Sequence, residues 1–152
     1  MANKYLAVYG SLRRGMQAAN MMDRPDALKY VGVGYISAKL YALGWYPGIE
    51  LSHDPTAITQ VDVYEVLDEK GIEHLHRYEG YVKERPEQSL FILRSGVPLL
   101  DDDKEVMCYE YNFGSRNDRP DDLLVKDGNW PRYVSERNSR NASARGMARE
   151  TA

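Results

Sequence analysis

A single cysteine, Cys108, stands among 152 residues, which excludes an internal disulfide framework and any cysteine-based zinc cluster. Long apolar runs are missing too: none approaches the roughly 18 residues that a membrane span needs. Met1-Ala2-Asn3-Lys4 runs straight into a strand-like segment. Positive charge is in short supply: 20 Lys and Arg face 23 Asp and Glu, a net charge of −3, so no broad cationic footprint is offered to nucleic acid. Phe and Trp number only two each against 12 Tyr. A buried Tyr hydroxyl wants a partner, so this bias points either to a hydrogen-bonded interior around a polar-lined cavity or to an idiosyncrasy of composition. What is present is ordinary: 43% hydrophobic and 28% charged residues sit near globular averages, and the length suits one domain with a real core. The expectation is a soluble, cytoplasmic protein, monomer or homodimer, with neither nucleic acid nor membrane as partner.

The segment from Arg137 to Ala152 has no Val, Ile, Leu, Phe, Tyr or Trp, and carries four Arg against one Glu. Too little apolar surface is available there to offset the entropy of ordering, so residues 1–136 read as the domain and 137–152 as a disordered basic C-terminal tail. Strand signals of β-branched and aromatic residues fall at Tyr5–Tyr9, Val33–Leu43, Ile58–Val66, Leu90–Leu93 and Val106–Tyr111. Gly44 to Gly48 reads as a turn cluster, and Asp101 to Lys104 as a hairpin turn. Helix is expected briefly over Met16–Met22 and more firmly over Asp68–Glu79, where Asp68 can cap the start and Gly80 stands at the C′ position. Strands that dominate, with one or two helices inserted, fit a closed or strongly curved α+β sheet better than βαβ winding.

Most chemistry-bearing motifs are missing. There is no phosphate-binding G-x-x-x-x-G-K-[ST], and Gly32-Val33-Gly34 lacks the third glycine of a dinucleotide fingerprint. His74 and His76 would point to different faces of a helix, so with His53 they make no metal site. Cys108, mid-strand, reads as a buried structural thiol, and Ser11 lacks the flanks of a nucleophile elbow. Two features remain. Ile72, Leu75 and Glu79 share one helical face, which sets a carboxylate in line with the apolar stripe and at the negative end of the helix dipole. Burial and dipole would both raise its pKa toward the value a general base needs; the plainer reading of this helix alone leaves Glu79 solvated at a fraying end. Second, Val8-Tyr9-Gly10-Ser11 ends a strand in a turn whose backbone N–H groups could form an anion-binding nest.

Tyr9-Gly10-Ser11-Leu12-Arg13, Leu40-Tyr41 followed by Gly44-Trp45-Tyr46-Pro47-Gly48, Val63-Tyr64-Glu65-Val66 and Tyr78-Glu79-Gly80-Tyr81 occur in that order. Cys108-Tyr109-Glu110-Tyr111-Asn112 and Asp127-Gly128-Asn129-Trp130 follow. The ordered set resembles the γ-glutamylcyclotransferase-like (AIG2-like) family from about Lys4 to Val134. The resemblance implies a small mixed β-barrel with flanking helices and one pocket at its mouth. It implies that Tyr9, Gly10, Ser11 and Leu12 hold a γ-glutamyl group and that Glu79 is the catalytic acid and base. The reaction so implied is attack of the substrate's α-amine on its own γ-amide carbonyl, releasing 5-oxoproline and a free amine from a small γ-glutamyl amine or peptide, with no cofactor and no metal. The sequence departs from the family pattern at three places: Val61-Asp62 replaces the usual Gly-Glu, Phe91 stands near Arg94 where a Tyr is common, and Met16–Asn20 is a longer segment, expected to reshape the pocket rim. These departures motivate the alternative of a catalytically inactive protein that keeps the pocket and binds a small molecule.

Overall fold

The sheet is built outward from its middle. In the computed structural model, which describes residues 4–43, 46–82, 84–100, 102–114 and 119–150 (the backbone alone for Pro86 and 141–150), the strands are β1 (Lys4–Val8), β2 (Leu28–Ala42), β3 (Pro47–Leu51), β4 (Ile58–Val66), β5 (Phe91–Pro98) and β6 (Glu105–Tyr111). Their order is β3-β2-β4-β1-β6-β5. Every neighbouring pair is antiparallel except β1 with β6, which run parallel. The two central strands carry the core: Leu6, Ala7 and Val8 of β1 and Val61 and Val63 of β4 are buried. Register shifts between Tyr30 and Gly32 of β2 and between Arg94 and Val97 of β5 bend those strands and add twist, as bulges do.

The curl brings β3 and β6 together. The Leu51 N–H donates to the Glu110 carboxylate at 2.8 Å, and a Cβ on Gly48 would lie 2.9 Å from the Cβ of Tyr111. The result is a curled mixed sheet, a half-barrel flanked by short helices, and so the α+β architecture that the strand pattern implies.

The helix expected over Asp68–Glu79 is two pieces: a 3₁₀ turn at Glu69–Ile72, then helix α1 (Glu73–Tyr78). Asp68 caps the first piece, accepting from the Lys70 N–H at 3.0 Å. A Cβ on Gly71 would fall 2.3 Å from that of Ala27, so the glycine that weakens helix propensity is what lets this turn pack. Ile72 and Leu75 are buried, as the shared face requires.

Several expectations are corrected. Pro47 and Gly48 open a strand rather than sitting in a turn; Pro is admitted at the first residue of an edge strand, while Gly44 and Trp45 lie outside the described residues. The Met16–Met22 helix shrinks to a 3₁₀ turn at Ala19–Met22. Asp102 accepts from the Lys104 N–H at 3.0 Å in the expected β5–β6 turn, of which Asp101 lies outside the described residues. Helix α2 (Trp130–Glu150) occupies most of the segment expected to be a disordered tail. Its start is capped: the Asn129 side chain accepts from the Arg132 N–H at 3.2 Å. Beyond Pro131 the segment has no proline and is rich in Ala and Arg, both strong helix formers, so backbone preference favours helix where apolar surface is absent. Among the described residues no helix is long and apolar enough to cross a membrane.

Candidate functional site

At the end of β1 the chain reverses through Tyr9–Leu12, and the Arg13 N–H closes the turn on the Gly10 carbonyl at 3.0 Å. A Cβ on Gly10 would meet Cγ of Pro47 at 2.4 Å, so only glycine lets the loop lie against β3. Tyr9 is buried and its hydroxyl donates to the Tyr109 carbonyl at 2.8 Å. Burial, with Glu79 nearby, holds its pKa well above the ordinary phenol value. Leu12 is buried beneath the loop. Ser11 points the other way, its Oγ 2.7 Å from the Tyr78 hydroxyl. The N–H groups of Ser11 and Leu12 find no hydrogen-bond acceptor among the described residues.

Tyr78 ends α1, and Glu79 follows as its C-cap. The turn is a Schellman motif: the Tyr81 N–H reaches the His76 carbonyl at 2.8 Å and the Gly80 N–H reaches that of Arg77 at 3.2 Å, with Gly80 at φ 66°. The backbone of Glu79 is therefore fixed, not frayed. Its side chain is half-buried and has no hydrogen-bond partner among the described residues. Burial raises the carboxyl pKa from 4.5 to about 7, so near neutral pH it can both take up a proton and return one.

Loop and helix end face one cavity of about 190 Å³, below the roughly 300–1,000 Å³ usual for drug-sized ligands. Tyr9, Gly10, Ser11, Leu12 and Glu79 all line it, and Tyr46, Pro47, Leu90 and Phe91 form an apolar wall. Glu79 is the one charged residue among the described lining residues. Phe91 packs edge-on against Tyr46 and Tyr111, with ring centroids 6.4 and 5.5 Å away. Met16–Asn20 does not touch this cavity; Ala19 and Asn20 line a separate groove with Arg14 and Tyr64, so the long segment does not reshape the rim as expected.

Two lining residues escape sequence reasoning. Tyr78 is marked by nothing except its place before Glu79. Tyr109 lines the cavity while its hydroxyl lies 2.6 Å from Nδ1 of His76, and burial pushes its pKa far up. Four of the 12 tyrosines, Tyr9, Tyr46, Tyr78 and Tyr109, line the cavity, while the buried Tyr41 hydroxyl has no hydrogen-bond partner among the described residues. Among the described residues no three His, Cys, Asp or Glu side chains gather as a metal ion would need. Cys108 is fully buried, its thiol pushed up to about 12.

Residues 6–132 match the family described as Gamma-glutamyl cyclotransferase, AIG2-like. The chain belongs to this family. No curated protein matches it. Solved structures with the same fold include an uncharacterised protein of Pyrococcus horikoshii, with TM-score 0.62, 20% identity and coverage of 90% of this chain and 97% of that one. An AIG2-like protein from Mus musculus gives TM-score 0.56 and 19% identity over 81% of this chain and 95% of that one. The same fold recurs within the allophanate hydrolase of Kluyveromyces lactis, with TM-score 0.65 and 20% identity over 90% of this chain and 22% of that one.

Proposed function

We propose that this protein is a cyclotransferase that cleaves a small γ-glutamyl amine or peptide into 5-oxoproline and a free amine. The observation that carries this reading is Glu79: a half-buried carboxyl with no hydrogen-bond partner among the described residues, raised to about 7 by burial, and the one charged group on the described wall of a small cavity. The α-ammonium of the substrate lies against it, and the free N–H groups of Ser11 and Leu12 take the α-carboxylate or the developing oxyanion. Tyr9 and Gly10 set the floor of that loop.

The nucleophile belongs to the substrate, so holding it bent toward its own γ-carbonyl supplies much of the acceleration. The α-nitrogen sheds two protons in becoming the lactam N–H. The leaving nitrogen gains two in departing as an ammonium. No net proton is consumed, and one carboxyl that titrates near pH 7 carries them across. The test is 5-oxoproline release from a panel of γ-glutamyl amines and dipeptides by wild type and Glu79→Gln. Turnover by the wild type alone supports the reading; equal turnover by both removes Glu79 as the base.

Phe91 favours a second reading. It puts a phenyl ring on the cavity wall where the family commonly has a hydroxyl, and a pocket that binds without turnover would fit that loss. Stoichiometric retention of a γ-glutamyl compound, equal in wild type and Glu79→Gln and without 5-oxoproline, would support it.

A further inference from the structure

The loop that lines the cavity is closed at both ends by one residue of the neighbouring strand. Asp62, on β4, pairs in register with Val8, the last residue of β1. Its carboxylate then reaches past the loop to the far side: Oδ1 accepts from Nη2 of Arg13 at 3.2 Å and Oδ2 from the Arg14 N–H at 2.8 Å. Gln60, two residues back on β4, accepts from Nη1 of Arg13 at 2.8 Å. The side chains of Arg13 and Asp62 are 8% and 3% exposed, so this is a buried ion pair in a loop. Such pairs contribute little net stability over apolar residues of the same size. The Arg13 Nε is even left buried without a partner among the described residues, which stability alone would not favour. What the pair does supply is geometry: residues 9–12 are held between two fixed points on one strand, and Gly10 is pressed onto Pro47.

We infer that Arg13 and Asp62 are positioning residues for substrate binding, acting through the loop whose Ser11 and Leu12 N–H groups have no acceptor among the described residues. This rests on the cyclotransferase reading for its substrate, though not for its mechanical part. It also explains Asp62 at a departure from the family pattern: an acid is kept there because Arg13 needs it.

The test is the double variant Arg13→Met with Asp62→Leu, which removes both charges and strands neither. It should fold with a thermal midpoint a few degrees below wild type, because the Arg14 N–H loses its acceptor. Its KM for the best γ-glutamyl substrate should rise about tenfold or more with kcat within about threefold, since binding geometry and not Glu79 is disturbed. Backbone order parameters of Gly10, Ser11 and Leu12 should fall from about 0.85 to below about 0.6, with β1 and β4 unchanged. A folded double variant with wild-type KM and an unchanged, rigid loop overturns the inference. If the wild type makes no 5-oxoproline, the cyclotransferase reading fails, and the order parameters alone then decide whether the pair holds the loop.

Discussion

The phenol oxygen of Tyr109 lies 2.6 Å from Nδ1 of His76, joining β6 to α1 three residues before Glu79. The same residue gives its carbonyl to the Tyr9 hydroxyl, so Tyr109 ties both halves of the cavity wall together. Tyr109→Phe keeps the ring and removes the side-chain tie. It should cost about 1 kcal/mol, read by calorimetry as a fall of roughly 2–4 °C in Tm for a chain of this size. An unchanged midpoint would mean that water replaces the bond without loss.

The raised pKa of Glu79 makes stability depend on pH in a stated direction. Below about pH 4.5 the carboxyl is protonated in both folded and unfolded chains, and its contribution is fully present. Between 4.5 and about 7 the unfolded chain ionises first, so stability falls as pH rises, then levels off. The total is about 3 kcal/mol at most. Glu79→Gln lacks this loss, so it should match wild type near pH 4 and exceed it in urea denaturation at pH 8. Equal stabilities at pH 8 would put the carboxyl in solvent.

Gly128 is at φ 63°, and a Cβ there would stand 1.9 Å from the Ile58 carbonyl oxygen. The Gly128 carbonyl itself accepts from the Gln60 N–H at 2.8 Å, so the turn before α2 is laid directly on β4. Gly128→Ala should destabilise by at least about 2 kcal/mol, combining left-handed strain with a backbone clash. Denaturant titration of the variant measures it, and a loss below half that size would mean that the turn can shift away from β4.

Cys108 is inaccessible, and its thiol titrates at about 12, so little thiolate exists at pH 8. Iodoacetamide should leave the native protein unmodified and alkylate it fully in guanidinium, as mass spectrometry would show. Rapid native labelling would mean that β6 opens readily.

The sequence was readable where local chemistry decides structure. Asp68 caps, Gly80 ends a helix, and the alternation around Val61 and Val63 marks a buried strand; all three follow from backbone rules that need no tertiary partner. The segment at Pro47 misled because Pro and Gly punctuate turns in most contexts, and only the pairing with β2 makes them a strand edge. The tail from Arg137 is read from its lack of apolar residues alone, while the cap that starts α2 at Asn129 lies outside that segment. Glu79 lay on the right face by periodicity, yet whether it frays or packs depends on the Schellman turn and on Leu90, whose Cβ would sit 3.1 Å from a Cβ on Gly80. Tyr109 and Asp62 stand in the sequence only as members of short motifs, because what they do depends on partners at His76 and Arg13 that are distant in sequence.

The one parallel pairing in the sheet, Leu6 beside Met107, sets an order of assembly. β1 can zip to β4 before β6 is available, so the loop that follows β1 is anchored ahead of the β6 wall. The wall that Tyr109 supplies arrives only with β6, through the most distant strand pairing in the sheet, and non-local pairings of this kind are slow to form. A ribosome-bound chain halted after β5 would lack Tyr109 and the strand through which β5 joins the sheet. Closure of the cavity is thus a late event in folding, and in refolding amide protection across β1 and β4 should precede protection by ligand.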